Sequence, residues 1–126
     1  MDRPLFDQDK AVFDAEELLA RCLGKIELAE RVLAAFHSRF DLDLSELREA
    51  VRSEDAEAVA RVAHRLKGAS ANVAAEELRT RAAGIEQLAR CGGLPEVPGH
   101  LEELRSEWTR FVGSASTLGP RPEVAC

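Results

Sequence analysis

Between Ala56 and Val73 the apolar residues recur at Val59, Val62, Leu66 and Val73, the spacing of one buried face of an α-helix. That stripe decides where every other side chain of the segment points. At roughly 100° per residue, His64 lies about 160° from Leu66, nearly opposite the stripe. Its helical neighbours Ala60, Gly68 and Ala71 are all small, and Arg61 and Lys67 stand close by. A glycine one turn after His64 costs the helix about 1 kcal/mol relative to alanine. The pattern predicts an accessible histidine in a cleared space beside cations. Lys67 is one of only three lysines in an arginine-rich chain, which makes its placement informative.

The same period runs through the rest of the chain. Asp14 can cap a short first helix reaching Leu23, with Glu16 and Glu17 in its first turn and Gly24 as its stop. A second helix is expected from about Lys25 to Phe40, on a stripe of Ile26, Leu28, Ala29, Val32, Leu33, Phe36 and Phe40. Asp41 and Asp43 read as the opening of a third, carrying Leu44, Leu47, Ala50 and Val51. Ser53 and Asp55 are turn and cap residues ahead of the His64 helix, Ala56 to Val73. A further helix is expected from Ala75 to Arg90, with Leu78, Ala82 and Ile85 inward. Gly92 to Gly99 reads as a loop, and a last helix runs from His100 to Ala115 on Leu101, Leu104, Trp108, Phe111 and Val112. No segment alternates with a two-residue period, so no sheet is expected. The expected fold is all-α, an antiparallel four-helix bundle with one or two additional short N-terminal helices. Residues 1–13 read as a leader, 14–115 as the bundle domain and 116–126 as a disordered tail.

Composition narrows the function. The chain has 126 residues, one domain's worth, and 45% of them are hydrophobic. With one tryptophan, five phenylalanines and no tyrosine, the core is expected to be mostly aliphatic. A net charge of −6 argues against a nucleic-acid partner. No apolar run is long enough for a bilayer and no signal-peptide pattern opens the chain, so a cytoplasmic protein without membrane contact is expected. Cys22, Cys91 and Cys126 lack metal-ligand spacing and read as reduced thiols. There is no phosphate-binding G-x-x-x-x-G-K-[ST] loop, no kinase glycine loop and no acidic cluster for Mg²⁺. The chain therefore should not phosphorylate itself, and no cofactor is expected on it.

His64-Arg65-Leu66-Lys67-Gly68 matches the H-x-L-K-G signature of histidine-containing phosphotransfer (Hpt) domains. The resemblance extends upstream to Asp55 and downstream through Asn72-Val73 and Ala75 to Leu78, Ile85 and Glu86, and covers about residues 14–115. One departure stands out: the family usually carries glycine where this chain has Ala74, so a left-handed turn there would be less comfortable. The resemblance implies a four-helix bundle that carries a phosphoryl group on His64 without kinase activity of its own. An imidazole suits that task, since it is nucleophilic when neutral and its phosphoryl adduct is a good donor. Phosphoryl transfer otherwise needs positioning and charge, which the Lys67 ammonium can supply.

By the same resemblance Glu86 is the residue that orients the imidazole, and Arg90, one turn on, can add positive charge. Arg61, Arg65, Gly68 and Ala71 are the expected docking residues. The implied partners are response-regulator receiver domains, which bring their own aspartate and Mg²⁺, and a sensor or hybrid histidine kinase. The chain is expected to be a free-standing monomer. The competing expectation is a helical adaptor that binds a receiver or kinase domain without taking phosphate. An intact His64 favours the carrier, since an adaptor has no need of it. His37 and His100 lack such a setting and read as incidental.

Overall fold

Helix ends in this chain are built from local hydrogen bonds that the sequence supplies. In the computed structural model, which describes residues 14–115, helix α1 spans Ala15–Arg21 and α2 spans Ile26–Arg52. Helix α3 spans Ala56–Asn72 and α4 spans Glu76–Arg90. A 3-10 turn, Leu94–Glu96, leads directly into α5, Val97–Ala115. The Asp14 carboxylate accepts from the Glu17 N–H at 3.0 Å, and Asp55 accepts from Ala58 N–H at 3.1 Å. Each satisfies an orphan donor of a first helical turn.

Four helices close with the same bond from an N–H to the carbonyl five residues back. Gly24 reaches Leu19 at 2.8 Å, Asp55 reaches Ala50 at 3.0 Å, Ala75 reaches Ser70 at 2.9 Å and Gly93 reaches Leu88 at 2.7 Å. That closure needs a left-handed residue just before the donor. Only α4 uses glycine there, Gly92 at φ +80°; the others use Leu23, Glu54 and Ala74 at φ +58° to +60°. A side chain in that region costs about 1 kcal/mol or more. Ala74 thus adopts the left-handed turn anticipated from the family pattern, and α3 still ends cleanly at Asn72.

Three expected boundaries are corrected. The helices predicted on either side of Asp41 are one helix of 27 residues. The stripe Phe36, Phe40, Leu44, Leu47 continues through the junction without a phase break, and all four are buried. Pro98 and Gly99, read as loop, lie in the first turn of α5, where proline lacks only an N–H that has no helical acceptor. Similarly, α1 stops at Arg21, and Leu23 rather than Gly24 is the first left-handed residue beyond it.

Helices α2 to α5, joined by short turns, form an antiparallel four-helix bundle, with α1 packed at one end. Among the described residues there is no strand. α3 packs most extensively against α4 and next against α2, while α5 closes the bundle against α4 and α2. Val59, Val62, Leu66 and Val73 are buried in the core as their spacing predicts. The core is mostly aliphatic, as expected, and its aromatic residues gather in one cluster shared by α2 and α5. The rings of Phe40 and Trp108 stack at 4.1 Å, and Phe36 meets Phe111 edge-on at 5.2 Å. The Trp108 indole N–H donates to Asp41 at 3.3 Å. The expected leader and tail lie outside the described residues, as does Cys126; Cys22 is buried and Cys91 exposed. No described helix is long and apolar enough to cross a membrane.

Candidate functional site at the α3–α4 interface

The tight turn at Val73–Ala75 folds α4 back along α3 and brings Glu86 opposite His64. His64 sits near the middle of α3 with its side chain 62% exposed. Glu86 faces it from α4 and is 8% exposed, which is unusual for a helix glutamate. Burial of a carboxylate requires partners, and Glu86 has three. His64 Nδ1 lies 3.1 Å from Oε2, and Lys67 Nζ lies 2.9 Å from Oε1. Arg90 donates through Nε and Nη2 to Oε2 at 3.1 and 3.0 Å.

These contacts set the protonation of the site. Burial pushes the Glu86 carboxyl upward, but the hydrogen bonds from Lys67, Arg90 and His64 outweigh it and hold it below its ordinary value. Glu86 is therefore a carboxylate near neutral pH and can only accept. In the neutral ring Nδ1 then carries the hydrogen and donates it to Glu86, and the lone pair lies on Nε2, facing away from Glu86. One anion between two cations leaves the neighbourhood of His64 with a net positive charge.

A family model described as Hpt domain matches residues 31–114. The chain belongs to the Hpt domain family. Hpt domains are phosphocarriers of two-component phosphorelays rather than enzymes. No curated protein and no solved structure matches this Hpt chain.

The remaining candidate residues fall into two groups. Arg61 and Gly68 are exposed on the same arc of α3 as His64, and Ala71 is partly exposed there. A Cβ built on Gly68 meets nothing within 4 Å, so nothing inside the molecule demands that glycine. Arg65, expected on the docking face, turns aside to α2 instead. Its guanidinium donates to Asp43 at 2.9 Å and to Glu46 at 2.7 Å. The reason is that Asp43 is itself 2% exposed, and a buried carboxylate needs a cation. His37 lies beside Trp108, with ring centroids 5.1 Å apart, on the side of the bundle formed by α2 and α5.

Two features escaped the sequence reading. The burial of Asp43 was disguised as a helix cap. Arg21 of α1 reaches the last carbonyls of α3, an interaction across 50 residues that no local pattern signals. Among the described residues no group of three or more His, Cys, Asp or Glu side chains is placed to hold a metal ion.

Proposed function

We propose that this chain is a phosphorelay intermediate in which His64 takes a phosphoryl group from the aspartyl phosphate of a receiver domain and passes it to another. The observation that carries this reading is the buried Glu86 carboxylate on Nδ1 of an exposed histidine. In the neutral ring it holds the hydrogen on Nδ1, so that Nε2 is the nitrogen that carries the lone pair a phosphoryl acceptor requires.

In the forward step Nε2 forms the P–N bond while the P–O bond to the receiver's aspartate breaks, and the aspartate leaves as a carboxylate. The ring keeps its Nδ1 hydrogen and becomes positively charged, and the Glu86 carboxylate faces that charge. Lys67 and Arg90 supply positive charge around the incoming phosphoryl oxygens. The metal ion that assists transfer belongs to the receiver. Gly68, Ala71 and Arg61 border His64 on the surface where the receiver seats. A sensor or hybrid histidine kinase stands upstream, and the chain acts as a cytoplasmic monomer that binds no nucleic acid.

The test is label transfer from a receiver domain charged with acetyl phosphate. The wild-type chain is expected to acquire acid-labile, alkali-stable phosphate, and His64→Gln none. Label persisting on His64→Gln would move the acceptor to another histidine. A wild-type chain that binds the receiver but never takes label would instead be an adaptor.

A further inference from the structure

Helix α3 lacks any basic residue in its last turn, although carbonyls concentrate partial negative charge there. The charge comes from α1. Arg21 Nη1 donates to the carbonyls of Ala71 at 2.8 Å and Asn72 at 3.2 Å. Its Nε is held by Glu17 at 3.1 Å, one turn earlier on α1. At the other end of α1, the N–H of Asp14 donates to the Ala74 carbonyl at 3.1 Å. Ala74 is the left-handed residue that has a Cβ where glycine would be unstrained. Both ends of α1 thus grip the C-terminal end of α3 and the left-handed turn that follows it.

That stretch is not remote from His64. Ala71 lies seven residues on, two helical turns away and on almost the same bearing, and Asn72 is exposed beside it. The family match begins at residue 31, inside α2, so α1 lies outside it.

We propose that α1 is a clamp on the C-terminal end of the His64 helix, with Arg21 as a positioning residue that sets the partner-docking face. The docking half of this proposal rests on the phosphoacceptor reading above. The clamp pre-orders Gly68 to Asn72, so that a receiver meets a finished surface and does not bear the entropy of ordering it. Arg21 touches neither His64 nor Glu86, so it acts on encounter and not on the transfer step.

The experiment compares the full chain with Arg21→Ala and Arg21→Lys. Label uptake is followed against receiver concentration, and amide hydrogen exchange is read along α3. For Arg21→Ala we expect the half-saturating receiver concentration to rise about threefold to fivefold, the size of a lost charged cap. The limiting rate should stay within about twofold of wild type, since chemistry is untouched. Amides from Asn72 to Ala75 should exchange about threefold or more faster, while those around Leu66 keep their protection. Arg21→Lys should recover most of both effects. Unchanged exchange at the end of α3 overturns the clamp. Faster exchange with an unchanged half-saturating concentration overturns its role in docking. A fall in the limiting rate alone would place Arg21 in the chemistry and also overturn the proposal. Failure of the wild-type chain to take label would overturn the phosphoacceptor reading and the docking half together, and the exchange comparison would still decide the clamp.

Discussion

Glu86 is the residue on which the site turns, because it serves three groups with two oxygens. Its carboxyl is held below the ordinary value of 4.5 in the folded chain, burial opposing and the Lys67, Arg90 and His64 hydrogen bonds prevailing. A depressed carboxyl contributes stability in full above its unfolded value and loses it as pH falls through the folded one. Wild-type stability should therefore decline below about pH 4.5, and Glu86→Gln should remove that part of the decline. At neutral pH the same variant should be about 1–2 kcal/mol less stable, since Lys67 and Arg90 lose their counter-charge. Its uptake of label should slow about tenfold or more, because an amide accepts the Nδ1 hydrogen but does not balance a charged ring. Lys67→Ala should also slow uptake, and should cost about 1 kcal/mol of stability because Oε1 of the buried Glu86 loses its ammonium partner. Urea melts at two pH values beside label transfer separate these effects. Equal acid sensitivity of wild type and Glu86→Gln would show that the site carboxylate is not the group titrating.

At the scale of the element, glycine in the middle of α3 is the informative anomaly. A Cβ at Gly68 meets nothing within 4 Å, so Gly68→Ala should stabilise the free protein by about 1 kcal/mol through helix propensity alone. Gly68→Gln should keep the fold and block transfer, since the larger side chain covers the approach to His64. A Gly68→Gln protein that melts normally and takes label at the wild-type rate would mean the cleared space serves something other than docking. This helix was legible from its own residues because stripe, histidine and glycine share one 3.6-residue period. The boundaries that misled did so for a definite reason. Asp41 and Asp43 look like helix openers, yet one accepts from Trp108 of α5 and the other from Arg65 of α3. Those hydrogen-bond partners are tertiary, 67 and 22 residues away in the chain, and no local pattern reveals them. Pro98-Gly99 misled in the opposite sense, because a proline is compatible with a first turn as well as with a loop.

Viewed as a whole, α3 is held by a buried carboxylate on either side. Asp43 of α2 takes Arg65 on one flank, and Glu86 of α4 takes His64 and Lys67 on the other. The core stripe lies beneath, and the exposed arc between the two carboxylates carries Arg61, His64 and Gly68. Each anion ties α3 to a neighbouring helix, Asp43 to α2 and Glu86 to α4, and the core stripe sets which arc stays exposed. The Arg65 guanidinium is made still more basic, chiefly by its hydrogen bond to Asp43, with burial opposing and Glu46 adding to the effect. If Arg65 is a strut of this kind, its removal strands Asp43 with only Arg39, 3.4 Å away. Arg65→Met should then cost about 2 kcal/mol, less than a fully enclosed pair because Arg65 is partly exposed. Removing the stranded anion as well, in Asp43→Ala/Arg65→Met, should restore stability relative to the single variant, since an unpaired buried charge is worse than none. Label uptake by either protein should keep a half-saturating receiver concentration within about twofold of wild type. A docking residue would behave differently: both variants would lose affinity for the receiver together, and the second substitution would rescue nothing.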